Sequence, residues 1–542
     1  MNILVVLLMC LLFLNESFSE NGSKRRLKIL INNPAIGWSH VQLQGRLADV
    51  LIEAGHEVHM LVQMINPLNG NYTGSKRVQE VIRVDRPIQK RNDFLEVDFF
   101  DNPFTGINNM LIDGTLDLIN EIFTDCCKEF LESQQLLIEE LTKERYDVGI
   151  SEFMHICTFG IFHKIGIQTK LATNAFMVSA MTAGVFGVPS PPSYVVNFHA
   201  ASINGQRMSF WERVRNMYYN MYDVVHSRHS VIVDVQQLFN KEYGPDFPHL
   251  FGIMKNISLG FFNGNEFLEL PRPISNKIIY IGGIVKSEPR PVDPEFKPII
   301  DRAKKGVVLF SFGSMADTKV LNPQTKRAFF NSFAKFPDYE FIWKLTENDT
   351  GLAESAPNVH IFEWFDQRGI LAHPKTKVFL THCGMNSLNE AIGFGVPLIA
   401  IPLFADQLFN TAAVLDKGIG VYLDILEAKN EDAVIKALNE VLENSMYYEN
   451  SKTLQKKVHS APFKPEEKFV KWVEFAAEFS DLNELNLLSP IEMGILAYYS
   501  LDVIGVTVLL SVLILTLFGF IVTFVKRKLL FYVSEVFKPK IE

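Results

Sequence analysis

The chain has 542 residues, with 52 basic and 61 acidic side chains and 44 phenylalanines. Because one hydrophobic core rarely organises more than roughly 250 to 300 residues, this length predicts two domains with additional segments. The mildly acidic charge and the lack of a long basic block exclude nucleic acid as a favoured partner, while the aromatic content suits apolar pockets or membrane contact.

The N-terminal segment is apolar but too short to span a bilayer, and it ends in the small-residue pattern Ser17-Phe18-Ser19. These features predict a cleaved signal peptide over residues 1–19. The cysteines have neither the spacing of a metal site nor the density of a disulfide scaffold, and they leave a disulfide open. Sequons at Asn71, Asn256 and Asn348 are compatible with exposure in a secretory lumen.

The first half of the mature chain, residues 20–285, alternates between strand and helix patterns. "RLKILINN" reads as a buried strand, the next segment has helical spacing that Gly55 ends, and "HEVHMLV" reads as a second strand. "YDVGISE" and "QTKLATN" continue the alternation. This pattern predicts an N-terminal parallel α/β domain of the Rossmann-like type.

A proline-rich segment, "VKSEPRPVDPEFKP", interrupts every periodic pattern and predicts an interdomain linker at residues 286–304. Further strand patterns follow, so residues 305–462 are expected to form a second doubly wound domain, with a helical segment bridging residues 463–502. Ligands of such sheets bind at the carboxyl ends of the strands. Two facing domains would therefore close a cleft between them.

The C-terminal region contains an unbroken apolar stretch at residues 503–525, about the 20 residues that cross a bilayer. Lys526, Arg527 and Lys528 follow, which places the tail, residues 526–542, in the cytosol and the body in the lumen. Lys538 and Lys540 resemble a dilysine retrieval signal of the endoplasmic reticulum. The pattern predicts a single-pass type I membrane protein of that organelle.

The stretch "THCGMNSLNEAIGFG" places polar groups at a strand end and at the start of a helix. His382 ends the strand, Gly384 belongs to the turn, and Asn386 and Ser387 lie where the helix begins. Free N–H groups at a helix N-terminus favour phosphate binding. A second interpretation needs no ligand, since Ser387 and Glu390 match an S-x-x-E capping box.

The neighbouring polar groups favour a longer ligand. Asp406 and Gln407 follow another strand and suit the hydroxyls of a sugar, while Trp364 offers a stacking surface for a base and Gln367 a hydrogen-bonding amide. With Glu390 on the ribose and the helix N-terminus on the diphosphate, these residues would hold a nucleotide sugar from end to end.

Residues 364–407 resemble the signature of the UDP-glycosyltransferases, the inverting enzymes of the GT-B fold. The order of segments is similar to that of the animal membrane-bound UDP-glucuronosyltransferases. The resemblance implies that Trp364 stacks on uracil, that Glu390 holds the ribose, and that Asp406 and Gln407 hold the donor sugar. It further implies diphosphate binding by the group His382, Asn386 and Ser387, with Gln367 and the phosphate-side Ser314 completing the donor site.

This sequence departs from the family signature at two places. Asp366 stands where a proline often precedes the glutamine, and Cys383 and Ser387 stand where many animal relatives carry glycine. The departures bear on donor preference more than on nucleotide binding.

The catalytic base is expected at His40, because the resemblance places the base of the family at this "SH" position. A histidine base gains from a carboxylate that fixes its tautomer and stabilises the imidazolium. The family uses an aspartate at the end of a later strand, and the matching residue here is Glu152, one methylene longer. Asp147 is the less favoured partner, and an interpretation of Glu152 as a surface residue stays open. No metal or other cofactor is expected.

The favoured function is transfer of glucuronic acid from UDP-glucuronate to a hydroxyl of small lipophilic acceptors. UDP-glucose as donor is the closest alternative, since Asp406 and Gln407 would serve either sugar, and a catalytically silent membrane-anchored binding protein is the third. Residues 96–106 and 176–194 are apolar and loop-rich, so they are expected to contact the acceptor or the membrane surface. A homo-oligomer is left open.

Overall fold

The computed structural model describes residues 25–66, 69–85, 102–106, 115–197, 200, 202–222, 230–285, 291–346, 356–480 and 482–537. Within these ranges the chain folds into two parallel sheets with helices packed around them. The predicted signal peptide, Asn348, Lys538 and Lys540 lie outside the described residues. The first part of the predicted linker and most of residues 96–106 lie outside them as well.

The first sheet has seven strands in the order β3-β2-β1-β4-β5-β6-β7. All neighbouring strands are parallel. The strands are β1 (Lys28–Asn33), β2 (Glu57–Met64), β3 (Glu80–Asp85), β4 (Val148–Glu152), β5 (Thr169–Asn174), β6 (Leu259–Phe262) and β7 (Ile278–Tyr280). The chain reverses its direction of winding between β1 and β4, which makes their carboxyl ends the switch point of this sheet.

The second sheet has six parallel strands in the order β10-β9-β8-β11-β12-β13. The strands are β8 (Gly306–Ser311), β9 (Tyr339–Lys344), β10 (Val359–Phe362), β11 (Thr376–Thr381), β12 (Leu398–Ala400) and β13 (Gly420–Tyr422). Its switch point lies between β8 and β11. Two doubly wound α/β sheets are therefore present, as the strand patterns predicted.

The α-helices are numbered in chain order over the described residues. They are α1 (Trp38–Glu53), α2 (Thr115–Ser133), α3 (Gln135–Glu144), α4 (Ile156–Lys164), α5 (Ala180–Val185), α6 (Phe210–Tyr222), α7 (Ser230–Tyr243), α8 (Leu250–Lys255), α9 (Lys297–Arg302), α10 (Pro323–Ala334), α11 (Gln367–Ala372), α12 (Met385–Phe394), α13 (Gln407–Asp416), α14 (Glu431–Glu443), α15 (Ser445–His459), α16 (Pro465–Glu478), α17 (Pro490–Met493), α18 (Ile495–Tyr498) and α19 (Leu501–Val536). Short 3₁₀ turns cover Thr318–Val320 and Asn483–Leu485.

The sequence explains why the first βαβ unit forms. Helix α1 buries Val41, Leu47 and Leu51 against the sheet, at the helical spacing that the sequence shows. Gly55 follows the helix with a φ of 96°, a conformation that glycine adopts without a steric cost. The chain can therefore turn at once into β2, which places the loop after β1 and the first turn of α1 above the switch point.

The segment after the second domain does more than bridge to the apolar C-terminal region. Helix α16 returns to the first domain, where Phe469 and Val473 are buried in the core around β1 and α1. Phe469 packs edge-on against Phe261 of β6, with ring centroids 4.8 Å apart. The first domain is therefore completed by residues that follow the second domain in sequence.

Helix α19 is the one described helix that is long and apolar enough to cross a membrane. It extends beyond the predicted apolar stretch and includes Lys526, Arg527 and Lys528. A disulfide joins Cys127 of α2 to Cys157 of α4, which answers the question that the cysteine spacing left open. Cys126 and Cys383 are buried and lie outside this disulfide.

Candidate active site

The first switch point brings together the two predicted catalytic side chains. His40 lies in the first turn of α1, and Glu152 is the last residue of β4. His40 Nδ1 and Glu152 Oε2 are 2.7 Å apart, and both side chains are buried. Since Nδ1 faces the carboxylate, the other ring nitrogen, Nε2, is left for an approaching substrate.

Burial and charge act in opposite directions on the pKa of His40. Burial lowers this pKa, but the charge of Glu152, its hydrogen bond and the charge of Asp406 together outweigh burial and leave the pKa raised. The imidazolium that forms on proton capture is thereby stabilised. The arrangement has the electrostatics that a general base needs.

The alternative readings of the two carboxylates are wrong. Glu152 is only 1% exposed, so it is not a surface residue. Asp147, at the opposite end of β4, accepts a hydrogen bond from the backbone N–H of Lys28 and pairs with Arg25. It is therefore engaged at the amino edge of the sheet, away from His40.

The start of helix α12 corrects one sequence-based interpretation. The helix begins at Met385 with Gly384 as its N-cap, and no side chain caps it. Ser387 is therefore the third helical residue and not the N-cap, so the predicted capping box with Glu390 does not form. The N–H groups of the first turn have no intrahelical acceptor, which keeps this end available to an anion.

His382 lies just before this helix, and its ring is closely approached by the backbone of Gly313 and Gly384. A Cβ atom on Gly313 would lie 2.6 Å from His382 Cε1, and one on Gly384 would lie 2.5 Å from His382 Nε2. Burial lowers the pKa of His382 to about 4, and the positive charge of Lys344 adds to this effect. A pKa lowered in this way favours the neutral imidazole at pH 7, which can form hydrogen bonds without carrying a charge.

The departure at Cys383 has a conformational consequence. Cys383 has a φ of 60°, in the left-handed region that favours glycine, so this turn is strained by a residue with a side chain. Burial raises the pKa of its thiol to about 12. The thiol is neutral and unsuited to act as a nucleophile.

The predicted base and ribose residues lie side by side. Gln367 Nε2 donates to Glu390 Oε2 at 2.7 Å and to Ser387 Oγ at 3.2 Å. Burial raises the pKa of Glu390 to about 7. Trp364 is 62% exposed, as expected of a surface that is open to a ligand. The departure at Asp366 is explained locally, because this side chain caps α11 by accepting from the backbone N–H of Arg368.

Lys344 is a candidate site residue that the sequence reasoning missed. It ends β9, its Nζ atom lies 4.1 Å from the centre of the Trp364 ring, and this atom donates to the carbonyl oxygen of Gly313 at 2.7 Å. Burial lowers its pKa to about 8. Its position at a strand end could have identified it. Because β9 lies next to β8, Lys344 lies at the same edge of the sheet as Ser314, an exposed residue in the turn after β8.

Asp406 and Gln407 lie at the start of α13, and both are buried. Asp406 Oδ2 accepts from Asn410 Nδ2 at 2.6 Å, while Gln407 Oε1 accepts from the backbone N–H groups of Leu403 and Phe404. Burial raises the pKa of Asp406 to about 6. The carbonyl of Gln407 thus shapes the loop, and its amide nitrogen is left as the group for a ligand.

Direct contacts join the two domains across the cleft between them. Asn386 Nδ2 donates to Gln42 Oε1 at 3.1 Å, and Asn263 Nδ2 donates to Asn386 Oδ1 at 2.8 Å. Trp38 packs edge-on to Trp364 with ring centroids 6.3 Å apart. Asn386 therefore bridges the domains, and only one of its two amide N–H groups is left for a phosphate. The described residues contain no cluster of side chains suited to hold a metal ion.

Comparisons with known proteins find relatives over most of this chain. Residues 30–536 match the family model "UDP-glucoronosyl and UDP-glucosyl transferase". A Caenorhabditis elegans relative, ugt-48, whose name assigns it to the UDP-glucuronosyltransferases, is 32% identical over 90% of this chain and 93% of its own. The UDP-glucuronosyltransferase 3A2 of Homo sapiens is 29% identical over 81% of this chain and 82% of its own.

Solved structures support the fold. CalG4, the calicheamicin glycosyltransferase, aligns with a TM-score of 0.56 at 18% identity, covering 84% of this chain and 99% of its own. The glycotransferase of kitacinnamycin aligns with a TM-score of 0.57 at 16% identity, covering 84% and 98%. The two sheets therefore form the GT-B fold that was expected, and the chain belongs to the family of UDP-glucuronosyl and UDP-glucosyl transferases.

Proposed function

We propose that this enzyme transfers glucuronic acid from UDP-glucuronate to a hydroxyl of small lipophilic acceptors, with inversion at the anomeric carbon. The buried pair of His40 and Glu152, 2.7 Å apart, is the observation that carries the proposal. The electrostatic influence of Asp406 on His40 supports a base that faces the donor sugar from the opposite domain. The names of the relatives support glucuronate as the donor.

In this mechanism His40 Nε2 removes the proton of the acceptor hydroxyl while its oxygen attacks the anomeric carbon. The bond from that carbon to the diphosphate breaks, and UDP leaves with the electron pair. Glu152 stabilises the imidazolium that results. The α12 N-terminus, Lys344 and the neutral His382 take up the negative charge of the leaving diphosphate.

The acceptor is proposed to bind on the first domain. A cavity of about 250 Å³ lies at the carboxyl ends of β2 and β3, lined by residues that include Ile65, Val84, Cys126 and Phe130. Ile65 and Cys126 share an apolar cluster with Ile36, which lies in the loop that leads to His40. The apolar part of this cavity suits a lipophilic alcohol, while Asp85, Glu129 and Glu132 also line it.

The proposed location is the endoplasmic reticulum membrane, with α19 as a single span and the catalytic body in the lumen. Lys526, Arg527 and Lys528 support a cytosolic tail. The Cys127–Cys157 disulfide is typical of an oxidising compartment. Asn71 and Asn256 are exposed, which is compatible with glycosylation there.

One experiment separates the candidate functions. Microsomes that contain the chain are incubated with UDP-glucuronate, UDP-glucose or other UDP-sugars and a panel of phenols, and products are identified by mass. We expect glucuronides. Transfer from UDP-glucose alone would overturn the donor assignment. Absence of transfer from every donor would favour the silent binding protein, against which the paired His40 and Glu152 argue.

A further inference from the structure

Three buried polar side chains lie at the carboxyl ends of strands in the first sheet. Asn32 belongs to the end of β1, Gln63 to the end of β2, and His155 to the turn between β4 and α4. All three are buried, and within the described part of the chain Asn32 Oδ1, Gln63 Nε2 and His155 Nε2 have no hydrogen-bond partner. Since buried polar groups are nearly always paired, these atoms indicate a site for a polar group from outside the chain.

The alternation of side chains along the strands places Asn32 and Gln63 on the side of the sheet that α2 covers. Leu30 and Leu61, two residues earlier in each strand, belong to a core cluster that also contains Phe130 of α2. Alternate residues of a strand share a face, so Asn32 and Gln63 face α2 as well. Their polar groups are therefore enclosed between the sheet and this helix.

The hydrogen bonds of His155 determine what its second ring nitrogen can do. Its Nδ1 forms a hydrogen bond with Thr158 Oγ1 and lies 3.4 Å from Asn32 Nδ2. An amide nitrogen only donates, so Nδ1 is the acceptor and the ring proton is on Nε2. Burial lowers the pKa of His155 to about 4, which keeps the ring neutral near pH 7. The Nε2 atoms of His155 and Gln63 are therefore two buried donors that lack an acceptor oxygen.

The same layer contains the cavity that is proposed for the acceptor. Gln63 lines this cavity together with Ile65 and Cys126. Ile65 and Cys126 form one apolar cluster with Phe123, and the ring of His155 packs against Phe123 with centroids 5.8 Å apart. The two donors therefore border one apolar region.

His155 also lies next to the proposed catalytic pair. Its backbone N–H donates to the carbonyl oxygen of Glu152 at 3.1 Å, and Glu152 Oε2 lies 2.7 Å from His40 Nδ1. The tight turn from Glu152 to His155 thus places the base and this donor at the same strand end.

We propose that His155 and Gln63 determine acceptor specificity by donating hydrogen bonds to oxygen atoms of the acceptor other than the hydroxyl that receives the sugar. This inference rests on the proposed function, whose acceptor site it deepens. The favoured acceptors are phenols and alcohols with a carbonyl or ether oxygen, because a site with unpaired donors discriminates against an analogue that lacks the matching oxygen. A carboxylate is disfavoured, since the acidic side chains Asp85, Glu129 and Glu132 line the same cavity.

The test compares phenols of nearly equal size that differ in one oxygen atom. Each of the three methoxyphenols is paired with the ethylphenol of the same substitution pattern. Microsomes that contain the full chain receive the UDP-sugar from which it transfers, and the ratio of kcat/KM is measured within each pair. Calorimetric titration of the solubilised full chain with the same phenols, in the presence of UDP, gives the ratio of the Kd values.

The variants His155→Phe and Gln63→Leu each remove one donor and keep apolar volume at the site. His155→Gln is the conservative variant, because its amide retains an N–H donor. His163→Phe, at the exposed end of α4, and Gln79→Leu, at an exposed position before β3, are the matched controls. Unchanged thermal unfolding shows that each variant is folded.

For the wild type we expect kcat/KM to be about 5-fold or more higher for at least one methoxyphenol than for its ethylphenol. His155→Phe and Gln63→Leu should each move this ratio toward one, His155→Gln should restore most of it, and both controls should keep it. A wild-type ratio near one in all three pairs would overturn the inference, even where a variant does not fold. An equal loss of activity on both phenols, with the ratio unchanged, would show that the two side chains only support the fold.

Failure of the proposed function has a different signature. No transfer from any UDP-sugar would overturn that function, and the ratio of the Kd values would then decide the inference. A preference for methoxyphenol binding that is lost in His155→Phe would support recognition by His155 without transfer. Equal Kd values for both phenols would overturn the recognition as well.

Discussion

The two switch points of this enzyme have opposite chemical characters. At the first, between β1 and β4, His40 and Glu152 are buried and hydrogen-bonded to each other. At the second, between β8 and β11, an uncapped helix, a lysine and an exposed tryptophan surround an open rim. At the first point His40 is paired with a carboxylate of the same domain, whereas the second point presents the positive partial charge of the α12 N-terminus.

This contrast indicates a division of labour between two domains of one architecture. In the proposed mechanism the base must be oriented before the acceptor arrives, and Glu152, its partner, is held in the sheet as the last residue of a strand. In the same proposal the diphosphate brings its own charge, and the N–H groups of the first turn of α12 are the donors that it would meet. Substitutions at the two points should therefore alter different kinetic quantities.

The largest effect is expected for His40→Ala. Removing the base should lower kcat by about 10² to 10⁴-fold, because general-base catalysis contributes that much, while the Kd of UDP stays the same. Turnover assays and calorimetric titration with UDP measure the two quantities. His459→Ala, at the exposed end of α15, is the matched control. Normal turnover of the His40 variant would remove the base assignment.

Glu152→Gln should lower kcat by about 10²-fold, because the imidazolium loses its stabilising carboxylate. The pH profile gives a sharper signature. The raised pKa of His40 means that wild-type turnover falls as the pH drops through that raised value. Without the charge of Glu152 the pKa falls, so the same loss should occur at lower pH. Glu152→Asp keeps the charge and should keep the wild-type profile; an unshifted profile in Glu152→Gln would contradict the pairing.

Lys344→Met should weaken UDP binding by about 10-fold or more, since a hydrogen bond to a charged group contributes about 1.5 to 3 kcal/mol. Uridine has no diphosphate, so its affinity should change much less. The ratio of the Kd of UDP to the Kd of uridine measures the phosphate contact. Lys436→Met, which removes an exposed lysine of the second domain, is the control and should leave this ratio unchanged. Equal losses of affinity for UDP and for uridine would mean that Lys344 contacts the uracil ring and not the diphosphate.

The smallest effect is expected for Trp364→Ala, with a Kd for UDP raised by about 10-fold through loss of base stacking. Here uridine and UDP should lose affinity equally, the reverse of the pattern for Lys344. Phe463→Ala removes another exposed aromatic ring and serves as the control. If the affinity for uridine did not change, Trp364 would not stack on the uracil ring.

Local sequence patterns predicted much of this molecule. Buried strand patterns, the glycine after α1 and the long apolar stretch gave the two α/β domains and the helix at the C-terminal end. Strand ends also indicated His40, Glu152 and the residues around His382. The predicted capping box is wrong because the S-x-x-E pattern does not specify which residue begins the helix. Cys383 has a φ of 60°, and the helix begins after Gly384, three residues earlier than that pattern implies.

Three features depended on long-range packing. Lys344 stands at the end of an ordinary buried strand in the sequence, and only the order of the sheet places it beside Trp364 and Gly313. Helix α6 has the periodicity of any amphipathic helix, and only the burial of Asn216 shows that its apolar side points outward. Helix α16 reads as a connection, yet it completes the core of a domain that is distant in sequence.

The sequence by itself determined the elements, the family signature and the position of each polar group on its strand or helix, because these follow from the spacing of apolar residues and from turn chemistry. The tertiary structure decided which polar groups meet. Strand order placed β4 beside β1, so that Glu152 lies 2.7 Å from His40, and docking of the two domains joined Asn386 to Gln42. Such contacts join residues far apart in the chain, and no local periodicity specifies them.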